Sequence, residues 1–131
     1  MNQPIESLTE ILASLTIVNA GNYIYSLTNT VPEGATPLAI VHEAEGISII
    51  IPVHQAQQAG LETSEVFTCL TLNVHSSLTS VGLTALVSRT LAEAHIPCNV
   101  IAGYYHDHLL IPAAQATQAE QLLAQLATKT Q

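Results

Sequence analysis

The residues of this 131-residue chain that could do chemistry are six histidines, two cysteines and ten carboxylates. His106, Asp107 and His108 are consecutive, and His42, His54 and His75 could join them in space as metal ligands or as a hydrolytic centre. The two histidines straddle an expected turn, however, and no carboxylate other than Asp107 is close in sequence. Apolar flanks on both sides fit turn histidines with satisfied ring nitrogens better than a metal site. Nucleophilic use of Cys69 or Cys98 needs a neighbour that stabilises a thiolate, yet Arg89 and Lys129 are the only basic side chains. Asp107 has no second carboxylate to share acid–base work with. Tyr104 and Tyr105 read as packing within a hairpin. The expectation is a protein that is not an enzyme and has neither metal nor cofactor.

A different kind of site lies in His75–Val87, HSSLTSVGLTALV. The segment before it, VFTCLTLNV, is apolar and β-branched. After it Leu83, Leu86, Val87, Leu91 and Ala94 recur at the spacing of one helix face. A strand therefore passes into a helix through small and hydroxyl residues, Ser76, Ser77, Thr79 and Ser80, and one glycine, Gly82. Open backbone N–H groups at such a junction can hold an anion. The plainer reading makes Thr79 or Ser80 an N-cap and Gly82 a packing glycine. The binding reading predicts that Gly82→Asp abolishes binding with stability barely changed, and that Ser80→Ala costs about 1 kcal/mol of stability if Ser80 is the cap.

Two other sections of the chain must position this junction. Ile5, Leu8, Ile11 and Leu12 predict a short helix over 6–14. Residues 15–28 read as strand, bent near Ala20-Gly21-Asn22. Leu38–His42 and Ile47–Ile51 form a hairpin pattern, and Pro52 opens a short helix ending near Gly60. Strand 66–74 and helix 80–94 follow. A second hairpin runs through Cys98–Tyr104 and His108–Ile111, turning at Tyr105–Asp107, before a last Ala/Gln-rich helix opened by Pro112.

The two sections repeat one another. IIPVHQAQQA at 50–59 lies over LIPAAQATQA at 110–119, matching Ile51, Pro52, Gln55, Ala56, Gln58 and Ala59 to Ile111, Pro112, Gln115, Ala116, Gln118 and Ala119. In the first copy about ten residues separate the first two strands, too few for a crossover helix. That copy is degenerate. The units divide as 1–62 and 63–131 around one shared core, since neither half is comfortable alone. The fold class is α+β, an antiparallel sheet with helices on one face. Val66, Leu70, Leu72 and Val74 point to the helices, and Phe67, Cys69, Thr71, Asn73 and His75 to the other side.

Charge and composition limit the partners. A formal charge of −8 would repel a phosphate backbone, so nucleic acid is not expected. Apolar runs fall far short of the ~20 residues of a spanning helix, so no membrane is expected. The N-terminus shows no secretory pattern and the cysteines read as reduced and buried, so a cytoplasmic location is expected.

The β-α-β-β-α order, the turn Ser80-Val81-Gly82-Leu83 and the sequence CNVIAGYYHDHLLIP resemble the ACT domain family, and particularly small stand-alone proteins with two ACT-like units. The resemblance covers nearly the whole chain, strongly over 66–126 and loosely over 15–60. It implies a ferredoxin-like fold and an amino-acid-binding regulatory protein, the alternative being a structural or protein-interaction module without a ligand. Val81 stands where many ACT domains have proline, which leaves one more backbone N–H. On this reading a ligand carboxylate meets the backbone of Ser80, Val81, Gly82 and Leu83 with help from His75, Ser76 and Ser77. Its ammonium meets Asn99, Val100, Ile101 and Gly103, with Asp107 further off. The family builds sites between ACT units. That habit, the mixed face bearing Phe67 and Cys69, and unpaired strand edges point to a homodimer.

Overall fold

In the computed structural model, which describes residues 8–74 and 82–129, six strands form one antiparallel sheet in the order β2-β3-β1-β4-β6-β5. The strands are β1 (Thr16–Thr28), β2 (Ala39–Glu43), β3 (Gly46–Pro52), β4 (Phe67–Asn73), β5 (Asn99–Ala102) and β6 (Asp107–Pro112). Helices α1 (Leu8–Ser14), α2 (Val53–Gln58), α3 (Leu83–Glu93) and α4 (Ala116–Lys129) accompany them. The strand from 15 to 28 is continuous but changes register between Asn19 and Asn22, where Gly21 adopts φ 99° and donates its N–H to Asn19 Oδ1. A side chain at 21 would strain that bulge. The start expected for the first helix, residue 6, lies outside the described residues.

The internal repeat is a repeat of register. Ala39 pairs with Ile50 and Asn99 with Leu110, then Ile40 with Ile49 and Val100 with Leu109, so each hairpin pair reappears 60 residues on. Tyr23 pairs with Pro52, 29 residues later, whereas Phe67 pairs with Pro112, 45 residues later; the difference of 16 is the room in which α3 sits. The first half has no helix at that place, which is how it is degenerate. Each half also uses the other's first strand as the fourth of a ferredoxin-like 2-3-1-4 order, so β1 and β4 form the centre of the sheet.

The repeated residues do the same work in both copies. Ile51 and Ile111 are core residues, and Pro52 and Pro112 end their strands at φ −55° and −50°. Gln55 clamps the preceding loop through Thr36 N–H and Thr36 Oγ1, and Gln115 Nε2 donates to the His95 carbonyl. Small Ala56, Ala116 and Ala119 let the helices lie close to the strands. Two clusters share the helix side of the sheet. Leu70, Leu72, Leu109 and Ile111 pack under α1, α3 and α4, while Ile24, Ile49 and Ile51 pack under α2.

Helices α2 and α3 end alike. Gly60 N–H bonds to Gln57 O and Leu61 N–H to Ala56 O; His95 N–H bonds to Ala92 O and Ile96 N–H to Leu91 O. Both are Schellman closures, with Leu61 and Ile96 returning to the apolar clusters. The left-handed position is glycine in one and histidine, at φ 59°, in the other. Because only the His95 backbone is used by Gln115, His95→Gly relieves the strain and keeps the bond. We expect a gain of about 0.5 kcal/mol after the larger entropy of an unfolded glycine is counted, read as a melting temperature about 1–3 °C higher.

Candidate functional site

The end of β4 and the β5–β6 turn meet at one end of the sheet. Leu72 pairs with Ile17 of β1 and with Asp107 of β6, and one step further the His106 ring donates from Nδ1 to the Val74 carbonyl at 3.3 Å. The hairpin is thereby tied to the strand that leads into the 75–81 turn. Helix α3 starts at Leu83, three residues after the expected start. Gly82 is its N-cap at φ 113°, ψ −32°, a backbone state that no helix and few side chains adopt, and among the described residues no side chain supplies the capping bond. The expected cap, Ser80, lies outside the described residues, and the expectation that Gly82→Asp leaves stability unchanged is overturned by the Gly82 dihedral. A Cβ at 82 would only touch Leu8 of α1, at 3.4 Å, so the glycine answers to backbone conformation rather than to packing.

Of the expected site residues, Gly103 lies at this end, while Gly82 and Leu83 open α3. Gly103 N–H donates to His106 O at 2.9 Å, and a Cβ at 103 would meet that same oxygen at 2.7 Å, so the turn admits only glycine. Leu83 turns its side chain into the core. Asn99 pairs with Leu110 in mid-sheet, three residues before the end, or roughly 10 Å at ~3.3 Å per residue. Val100 packs into the helix-side core and Ile101 lies on the opposite face beside His108. The structure thus brings Gly103 to the end of β4 and leaves Asn99, Val100 and Ile101 along the strand. His75, Ser76, Ser77, Ser80 and Val81 lie outside the described residues.

The histidines have separate partners. His108 Nδ1 shares a 2.9 Å hydrogen bond with Thr71 Oγ1 across β4 and β6, on the face away from the helices, whereas His106 turns to Val74. His42 is on β2 and His54 on α2, in the other half. Among the described residues no three of His, Cys, Asp and Glu are grouped to hold a metal ion. Burial pushes both thiols, Cys69 and Cys98, above their ordinary range. Burial also raises the Asp107 carboxyl, against the pull of His108 and His106.

Burial lowers the His108 pKa, with His106 adding to the effect and Asp107 opposing it. The unfolded chain then takes up a proton at His108 more readily than the folded one, so stability falls as pH drops through about 6.5. Asp107 acts oppositely and further into acid, its burial being relieved as the carboxyl protonates. We expect His108→Gln to flatten the fall in melting temperature between about pH 7.5 and pH 5.5, a window set by the ordinary histidine value. An unchanged slope in that variant counts against the assignment.

The corresponding tip of the first half is built differently. At the shift of 60, Glu43, Ala44, Glu45 and Gly46 stand where the second half has Gly103, Tyr104, Tyr105 and His106. Gly46 lies so close to the end of β1 that a Cβ would be 3.0 Å from Thr28 O. Two carboxylates at that tip disfavour an anion. Neither these glutamates nor the Val74–His106 tie carries a local sequence signal of a site, although the repeat alignment by itself exposes the Glu-for-Tyr difference at 45 and 105.

Two models of the ACT domain match in tandem, one over residues 3–68 and the other over residues 65–125. A crystal structure of a Vibrio cholerae protein of unknown function, described as a possible transport protein, matches with 41% identity over 95% of this chain and 99% of the other, at TM-score 0.79. The chain belongs to the ACT domain family. Among curated proteins none matches it. An Agrobacterium tumefaciens protein is similar at 19% identity, covering 86% of this chain and 87% of that one, with TM-score 0.65. The α and β subunits of an aspartokinase match at 14% identity, 87% and 97% coverage and TM-score 0.59. At those identities the likeness is one of fold. ACT domains are regulatory modules, and this chain is two of them in one sheet. No helix among the described residues is long and apolar enough to cross a membrane.

Proposed function

We propose that the chain is a cytoplasmic regulatory protein, without enzymatic activity, that binds one amino acid at the ACT unit of its second half and works as a homodimer. The units divide near residue 62 and share the sheet centred on β1 and β4. The observation that carries the reading is the contrast between the two sheet ends. In the second half Gly82 opens α3 with no side-chain cap among the described residues and Gly103 shapes the β5–β6 turn, while the equivalent tip of the first half presents Glu43 and Glu45. With Arg89 within α3 and Lys129 at the end of α4, a ligand carboxylate depends on backbone N–H groups and the positive end of α3. Gly103 and the hairpin carbonyls form the pole for the ammonium. The exposed apolar side of the sheet favours a second reading, a module that acts through protein contacts alone.

Thermal shift against the twenty amino acids separates the two. A ligand at 100 times its Kd stabilises by about 2.7 kcal/mol, which a melting curve resolves easily. One amino acid, or a small related set, is expected to raise the melting temperature; twenty flat curves would leave the protein-contact reading.

A further inference from the structure

The sheet face turned away from the helices carries almost no charge and is apolar over β1, β2 and β3, with the Thr71–His108 pair as its polar part on β4 and β6. Strand alternation sends Val18, Tyr25 and Leu27 of β1 and Val41 of β2 to it, and these are exposed at 45%, 39%, 55% and 49%. Beneath them Ile50, Cys69 and Leu110 are already buried, screened by Tyr23, Phe67 and their neighbours. Tyr25 and Phe67 stand edge to face with ring centroids 5.2 Å apart, which presents a fixed aromatic pair rather than loose side chains. Glu43 is the only strand carboxylate on this side, at its edge, and it is engaged by the Ser48 hydroxyl.

We propose that this face is the contact between two copies of the chain, stacked sheet to sheet about a two-fold axis. Charge selects a second copy as the occupant. Each chain carries −8, so approach through the helices or loops sets carboxylates against carboxylates, whereas this face lets two copies meet without like-charge contact. Area agrees. Six strands ~4.8 Å apart, each of about five to seven residues at ~3.3 Å, give roughly 500 Å² in projection. The accessible surface of a ribbed face exceeds its projection, which brings it to the scale of the ~800 Å² per partner in a standard interface. Shape is compatible as well: the face is one continuous six-stranded surface centred on β1 and β4, which a two-fold contact can use on both copies. Tyr25 and Phe67 would be its central anchors. The inference rests on the homodimer of the proposed function and names the surface that forms it.

Sedimentation velocity of the full chain from about 1 to 100 µM, with Tyr25→Asp and Val41→Lys, tests it. The wild type is expected to be dimeric within that range. Each variant is expected to raise the dimer Kd by on the order of 100-fold, because a charge is left unpaired in an apolar contact, while circular dichroism stays unchanged. Val41 lies on an edge strand with half its surface exposed, so Val41→Lys decides the matter if Tyr25→Asp does not fold. A wild-type dimer that survives Val41→Lys intact overturns this face and leaves the dimer standing. A wild type that remains monomeric throughout overturns both, and neither result touches the amino-acid reading.

Discussion

Leu70→Ala is expected to lower stability by about 3 kcal/mol, a large share of the ~5–15 kcal/mol of an ordinary domain, and to do so for both halves at once. Leu70 is fully buried at the centre of β4 and pairs with Asn19 of β1 on one side and Leu109 of β6 on the other. Losing its methyls opens a cavity between the two central strands and the helices of the second half, where β-sheet neighbours cannot move inward without breaking register. Because each half takes its fourth strand from the other, the damage cannot stay in the second half. Hydrogen exchange should show peptides from β3 and from β6 losing the same protection, in one cooperative unfolding transition. Loss confined to residues 63–131 would mean that the halves are separate units in contact, and the shared-sheet account would be wrong.

A pair of substitutions at one position should separate strain from binding. Any side chain at Gly82 meets φ 113°, ψ −32°, at a cost of about 1–3 kcal/mol, so Gly82→Ala and Gly82→Asp should both lower the melting temperature, by similar amounts. Aspartate is a favoured N-cap, but with extended dihedrals that this turn does not have, and little of that benefit is available. Only Gly82→Asp places a carboxylate where the ligand's carboxylate would sit. Measured below the melting temperature of both variants, binding of the amino acid found by thermal shift should survive in Gly82→Ala and vanish in Gly82→Asp. Equal loss in both would make Gly82 a conformational residue only.

The fold was legible in the sequence where a pattern had to repeat to bury a face. Leu83, Val87 and Leu91 on α3, Ala116, Ala119 and Leu123 on α4, and Ile11 and Leu12 on α1 are all in the core, as their spacing predicts. Gly21 marked the bulge in β1, and the Ile-Pro-x-x-Gln repeat gave the two hairpins and the shift between them. The start of α3 was three residues out because Ser80 satisfies a propensity rule, whereas Gly82 satisfies a dihedral that no propensity encodes. The site was less legible for a related reason. Asn99, Val100 and Ile101 were grouped with Gly103 by proximity in sequence, but in a strand three residues amount to ~10 Å and successive side chains leave by opposite faces. The tie from His106 to Val74 spans 32 residues, and nothing local in the sequence announces it.

The central claim is that one amino acid binds at the end of β4 in the second half and not at its counterpart in the first. Glycine amides are few and well separated in a nitrogen–proton correlation spectrum, and the six in this chain fall conveniently: Gly82 and Gly103 flank the proposed site, while Gly34, Gly46 and Gly60 belong to the first half and Gly21 to the β1 bulge. Titrating labelled protein with the amino acid that raises the melting temperature should move the Gly82 and Gly103 signals along a single saturable curve and leave those of Gly34, Gly46 and Gly60 in place. Shifts concentrated at Gly46, or saturation that leaves Gly82 and Gly103 unmoved, would contradict it.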